Sequence, residues 1–258
     1  MRIKKIINNN ILCAVDEKGQ ELIVTGKGIG FKRFPGEFVD MNCIEKVYRM
    51  EGKTEQKKLR ELVEKIPLEH LQLTEELVEY VKREVSGKLN ESLLITLSDH
   101  ISFAILREEK GIEYKNPLSG PVMCYYPEEY RLEKHCLQMI EERCHVNLNE
   151  DEATFIALHI VNAELNTSMS QMYDITRMLD GCIRVVEFYY RRKWDEDSVD
   201  FSRFVVHLRY LIFRMFRDGR EEHQKKADSK KDRKTEERDE LIYLTIHLKR
   251  LNTEDEGL

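Results

Sequence analysis

The sequence holds no apolar run near the about 18 residues that a membrane-spanning helix needs, which excludes a helical integral membrane protein. The opening Met1-Arg2-Ile3-Lys4-Lys5 has no apolar stretch behind it, so no secretory signal is expected. The expectation is a soluble, cytoplasmic chain with no membrane insertion. Its six cysteines, Cys13, Cys43, Cys124, Cys136, Cys144 and Cys182, lack the dense spacing of a small disulfide-built fold, so reduced thiols are expected. His135-Cys136 and Cys144-His145 lack zinc-finger spacing, and no His-Glu-x-x-His occurs. Neither a metal nor another cofactor is therefore expected, and a metal-dependent hydrolase is disfavoured.

What is present is a globular composition, 41% hydrophobic, with room for two or three small domains. The formal charge of −6 conceals an asymmetry. Residues 1–50 carry nine Lys/Arg against six Asp/Glu, whereas the remainder carries 33 against 42. A mildly basic head on an acidic body fits a nucleic-acid module joined to a protein-interacting one, although an ordinary solvated surface gives the same count.

The first fifty residues read as short strands separated by turn chemistry. Ile3 to Ile7 precedes Asn8-Asn9-Asn10, Ile11 to Val15 precedes Asp16-Glu17-Lys18-Gly19, and Glu21 to Thr25 precedes Gly26-Lys27-Gly28-Ile29-Gly30. Further apolar stretches lie at Phe38 to Met41 and Ile44 to Tyr48. A sheet this small buries little surface alone and invites dimerisation. Glu51 to Lys65 is charged and helix-permissive, and reads as a linker. Beyond Pro67, apolar residues recur at helical spacing, as in Leu73, Leu77, Tyr80 and Val81 and then Leu93, Leu97, Ile101 and Ile105. Asn149 with Glu152 three residues on suggests a capping box for the next helix.

Two histidine-centred patterns occur twice in the same order. His100 to Arg107 matches His207 to Arg214, with His, an aromatic three on, Ile five on and Arg seven on; Asp151 to Ile160 matches Asp239 to Leu248, with acid, aromatic, aliphatic and His in register. Such recurrence marks an internal duplication. The histidines stand 59 residues apart in the first copy and 40 in the second, and residues 217–238 are almost wholly charged. The second copy lacks a counterpart of Tyr125-Tyr126-Pro127-Glu128-Glu129-Tyr130 and the helix after it. That loss leaves Val206, Tyr210 and Phe213, and Tyr243, Leu244 and Ile246, without cover.

A neutral imidazole nitrogen is a nucleophile near neutral pH and accepts a phosphoryl group without a metal when the donor is itself a phosphohistidine. A lone histidine on an apolar helix face is more often a satisfied core residue; recurrence in two copies, with Asp99 beside His100, argues otherwise here. His70, His135, His145 and His223 have no counterpart and read as structural or surface residues. Arg107 and Arg214 either steady a phosphorylated imidazole or pair with acidic neighbours such as Glu108. In the head, Asn8 and Asn10 offer amide groups on a turn, Lys5, Lys27 and Lys32 offer charge, and Phe31 offers a stacking face beside Gly26, Gly28 and Gly30. On composition alone, a plain hairpin turn and a core phenylalanine are the commoner explanation of these residues.

Met1-Arg2-Ile3-Lys4-Lys5-Ile6-Ile7-Asn8-Asn9-Asn10 and Glu21-Leu22-Ile23-Val24-Thr25-Gly26-Lys27-Gly28-Ile29-Gly30-Phe31 resemble the co-antiterminator RNA-binding domain of BglG/SacY/LicT-type transcriptional antiterminators. Ser98 to Ala104 and Ile156 to Ala163 resemble the histidine motifs of that family's first phosphotransferase-system regulation domain, and His207 and His247 fall on those of the second. The resemblance implies a multidomain fold: a small antiparallel β RNA-binding domain at residues 1–55, then two all-α helical-bundle regulation domains at 66–170 and 171–258, the latter truncated internally around 217–238. It implies RNA binding through Lys5, Asn8, Asn10, Gly26, Lys27, Gly28, Phe31 and Lys32, and phosphorylation at His100, His159, His207 and His247 by the phosphocarrier HPr and sugar-specific permeases (EII). It also implies a homodimer that holds an RNA hairpin of a leader mRNA, a regulator and not an enzyme. The alternative is a phosphohistidine carrier that binds no RNA.

Overall fold

The computed structural model describes residues 1–49, 53–221, 244–246 and 248. Its contacts separate the chain into two compact units. One comprises Met1–Tyr114 and Leu132–Asn166, and the other Lys115–Arg131 together with the residues from Thr167 on.

The first unit opens with an antiparallel meander, β1 (Arg2–Asn8), β2 (Ile11–Val15), β3 (Glu21–Thr25) and β4 (Lys46–Tyr48), in that spatial order. Phe38 to Met41 does not form the strand expected of it. Phe38 makes one bridge to Arg2, and Met41–Cys43 turns as a 3-10 helix capped by the Asp40 carboxylate. Alternation along β2 and β3 sends two residue sets to opposite faces. Leu12, Ala14, Leu22 and Val24 pack with Ile3, Ile29 and Val39 on one side. Ile11, Cys13 and Ile23 face the other.

That second face corrects the expected linker. Lys53–Val63 is a helix, α1, whose Leu59, Leu62 and Val63 are buried in one cluster with Ile11, Ile23 and Tyr48 of the sheet. The cluster also takes in Leu71 of α2 (Leu68–Glu84) and Ile95 of α3 (Ser92–Glu109). The charged residues that suggested solvation lie on the outer side of α1, where Arg60 reaches Glu21 at 3.3 Å and Glu64, just past the helix, receives the Lys5 ammonium at 2.6 Å. The helical core of this unit joins α2 and α3 to α5 (Pro127–Cys144) and α6 (Asp151–Leu165) through Leu77, Val81, Leu97, Ile101, Cys136, Ile140, Ile156 and Ile160.

The second unit contains α4 (Ser119–Tyr125), the first turn of α5, α7 (Met169–Tyr190) and α8 (Val199–Glu221). Ser168 and Gln171 form a reciprocal capping box at the start of α7. Here α7 packs with residues that the expected boundaries assign to the first bundle: Tyr126 is fully buried with its hydroxyl 3.2 Å from Thr176 Oγ1, and the Tyr125 hydroxyl donates to Asp180 at 3.0 Å. Arg209 of α8 lies 3.8 Å from Glu129 and stacks over the Tyr126 ring at 5.4 Å. Of the residues expected to lose cover, Val206, Tyr210 and Ile246 are exposed, Phe213 is half-buried and Leu244 is buried, while Tyr243 lies outside the described residues.

Candidate functional site

In the sheet domain, the Asn8–Asn10 turn organises the glycine-rich loop after β3. Asn8 Oδ1 accepts from the Asn10 amide at 2.8 Å, an Asx turn, and Asn10 Oδ1 accepts from the Gly28 amide at 2.9 Å. The backbone carbonyls of Asn10 and Asn9 accept from Gly26 and Gly30. Glycine is required at two of these positions by space: a Cβ on Gly26 would stand 1.8 Å from the Cys43 carbonyl oxygen, and one on Gly30 would stand 2.3 Å from that of Asn8. Gly28, at φ +69°, needs the left-handed region instead.

The loop so held carries Lys27, Gly28, Phe31 and Lys32 to the surface, with Phe31 55% exposed and the Lys32 ammonium 5.3 Å from its ring. Phe31 is therefore not a core residue. Asn8, Asn10, Gly26, Lys27, Gly28, Phe31 and Lys32 belong to one connected feature, whereas Lys5 is turned to Glu64. Sequence reasoning passed over the exposed Phe34, Phe38 and Met41, which extend the same surface segment. The signal was present in Phe31-Lys32-Arg33-Phe34-Pro35-Gly36-Glu37-Phe38, where three aromatics stand among charges and a turn.

The second feature lies between α3 and α6. Seven-residue spacing brings His100 and Arg107 to one face of α3, and Glu152 and His159 to one face of α6, because seven residues are close to two helical turns. The rings of His100 and His159 lie 5.1 Å apart between centroids, and Phe155 lies 4.9 Å from His100. Glu152, nearly fully buried, directs one carboxylate oxygen at the Arg107 guanidinium and the other to 3.0 Å from His100 Nε2. Both His100 Nε2 and His159 Nδ1 are sealed from solvent and make no hydrogen bond.

Burial, reinforced by the Arg107 charge, pushes the His100 pKa down to about 4; burial and the His100 ring push His159 to about 3. Because Arg107 already neutralises Glu152, the carboxylate does little to hold a proton on His100. Both imidazoles are consequently neutral at pH 7, the form that is nucleophilic.

Two expectations change here. Asn149 does begin the α6 turn, its Oδ1 accepting from Asp151 N at 3.0 Å, but Glu152 completes no capping box because its side chain goes inward. Arg107 pairs with Glu152 and not with Glu108 on the surface; its guanidinium also lies over the Phe103 and Tyr114 rings. Outside the repeat, His70 Nδ1 meets Ser102 Oγ at 3.0 Å and His135 stacks on Tyr80, as structural residues do. His207 sits half-buried on α8, seven residues before Arg214. His247 lies outside the described residues.

Comparison with known proteins supplies the family. A model of the CAT RNA binding domain matches residues 1–57, and a model of the PRD domain matches residues 75–163. The chain is 37% identical to transcription antiterminator LicT of Bacillus subtilis (strain 168), with 97% of this chain and 99% of that protein covered. It is 32% identical to the beta-glucoside operon antiterminator of Dickeya chrysanthemi, with 98% of each covered. The crystal structure of GlcT CAT-PRDI aligns with 63% of this chain and 97% of its own at 34% identity and a TM-score of 0.52. No helix among the described residues is long and apolar enough to cross a membrane. An RNA-binding sheet domain ahead of histidine-bearing helical bundles, matched over nearly its full length by regulators of this kind, makes the chain a member of the BglG/SacY/LicT-type family of RNA-binding transcription antiterminators.

Proposed function

We propose that the protein acts as a homodimer that grips a hairpin in the leader mRNA of a sugar-utilisation operon and keeps the overlapping terminator hairpin from forming. The observation that carries this reading is the loop fixed by Asn10, which presents Phe31 and two lysines without any rearrangement of the fold. Single-stranded and irregular RNA segments are bound by stacking on such aromatics and by charge on the phosphates. Because Asn10 Oδ1 is engaged with Gly28, its role in readout falls to the amide nitrogen and to holding the loop.

The expected result in a gel-shift assay with a hairpin carrying internal loops is a loss of about tenfold or more for Phe31→Ala, the size of one stacking contact. Asn10→Ala should lose at least as much, since it releases the whole loop. Lys27→Ala and Lys32→Ala should weaken binding and reduce its salt dependence, while Lys5→Ala changes both least. Wild-type affinity in both Phe31→Ala and Asn10→Ala rejects this surface.

Control in this reading passes through phosphoryl groups delivered by HPr and sugar-specific permeases to His100 and His159, and to His207 and His247 of the second regulation domain. The neutral, paired imidazoles of His100 and His159 support it. A phosphohistidine carrier needs fast entry and exit of the group, and the sealed nitrogens of this pair speak against that alternative.

A further inference from the structure

The nucleophile of the histidine pair is covered by a side chain of the protein itself. A phosphoryl group joined to His100 Nε2 needs space beside that atom and a cation to balance its charge. Both are present and both are taken, the space by Glu152 Oε2 at 3.0 Å and the cation, Arg107, by the other oxygen of the same carboxylate.

The duplication shows that this arrangement is more than one local ion pair. Arginine follows histidine by seven residues at His100/Arg107 and again at His207/Arg214, and glutamate precedes histidine by seven at Glu152/His159 and again at Glu240/His247. The second copy has lost nineteen residues between its histidines and still carries all four side chains. Their repetition as a set ties the carboxylate and the guanidinium to the histidine chemistry.

We propose that Glu152 is a gate on His100: its carboxylate occupies the place of the incoming phosphoryl group, which enters only when the first turns of α6 carry Glu152 away, and Arg107 then exchanges the carboxylate for the phosphate. The inference rests on the phosphorylation reading above. In the transfer, the Nε2 lone pair attacks phosphorus of a phosphohistidine donor, the new N–P bond forms as the donor's N–P bond breaks, and the electron pair stays on the donor ring. The proton lost from His100 Nδ1 is matched by the one taken up by the donor imidazole, so charge and atoms balance. Glu152, expelled beside a dianion, cannot return while the phosphate remains. The modification is thereby converted into a displaced helix start, and Glu152 is a positioning residue for the acceptor.

The test uses the full chain with a phosphohistidine-bearing carrier as donor, and follows phosphate on His100 by mass spectrometry over time. Glu152→Ala should take label about tenfold faster than wild type, since the buried Glu152–Arg107 ion pair no longer has to open before the phosphoryl group enters. A rate equal to or below wild type in a variant that melts normally overturns the gate. Should Glu152→Ala not fold, wild-type hydrogen exchange decides: phosphorylated protein should exchange the amides of residues 152–156 faster than unmodified protein, and unchanged exchange overturns the proposal. Absence of label on every histidine of the wild type, with a donor shown competent on another acceptor, removes the phosphorylation reading itself and the gate with it.

Discussion

At the scale of single residues, the buried histidines give the protein a pH dependence of definite sign. His100 and His159 have folded pKa values pushed below the ordinary 6.5, to about 4 and about 3, so below pH 6.5 the unfolded chain binds protons that the folded chain refuses. Stability is therefore complete above pH 6.5 and falls as the pH drops toward 4, by up to about 1.4 kcal/mol per group for each pH unit. Melting curves followed by circular dichroism should shift down between pH 6.5 and 5, and His159→Phe should show a smaller shift; an equal shift in both proteins contradicts the assignment. Recurrence in the sequence pointed to the histidines themselves, and Arg107 was legible with them from its spacing. The inward turn of Glu152 was not, because an acidic residue three places after Asn149 reads equally well as part of a capping box, and only the packing of α3 on α6 decides between them.

Among the secondary-structure elements, the four strands, the last within Ile44 to Tyr48, and the helices α3, α6 and α8 were legible in the sequence, whereas the burial of α1 was missed. Leu59, Leu62 and Val63 are too few to stand out among the lysines and glutamates of Lys53–Val63, and it is the apolar underside of the sheet that makes a buried helix of them. The Tyr125-Tyr126-Pro127 break illustrates a different limit. The sequence marks the end of α4 and the start of α5, but which bundle the break packs in depends on contacts far along the chain. Tyr126, enclosed and bonded to Thr176, should be costly to remove: Tyr126→Ala is expected to destabilise the second unit by about 3–5 kcal/mol, as large aromatic deletions do. The expected observation is easier proteolysis within α7 and α8 while the helices around His100 keep their protection; uniform loosening of the whole chain contradicts the assignment of Tyr126 to that unit.

For the molecule as a whole, sequence arithmetic gave a basic head and an acidic remainder, and Glu51 to Lys65 read only as a linker, which left open how firmly the two are joined. The nine-member buried cluster answers it on the sheet side, since Ile11, Cys13, Ile23 and Tyr48 share a core with Leu59, Leu62 and Val63 of α1, Leu71 of α2 and Ile95 of α3. Sheet and first bundle should therefore unfold as one cooperative transition, and Leu62→Ala should lower the stability of both together by about 2–5 kcal/mol, read as one shifted calorimetric peak. Two resolved peaks, only one of them moved, contradict that. Ile95 lies on the same helix as His100, five residues ahead of it, so one rigid rod carries both the proposed phosphoryl acceptor and a piece of the floor beneath the sheet. A slack tether between head and body would dissipate any twist applied at the histidines; here the joint is stiff, and torque on α3 bears directly on the orientation of the RNA-binding sheet domain.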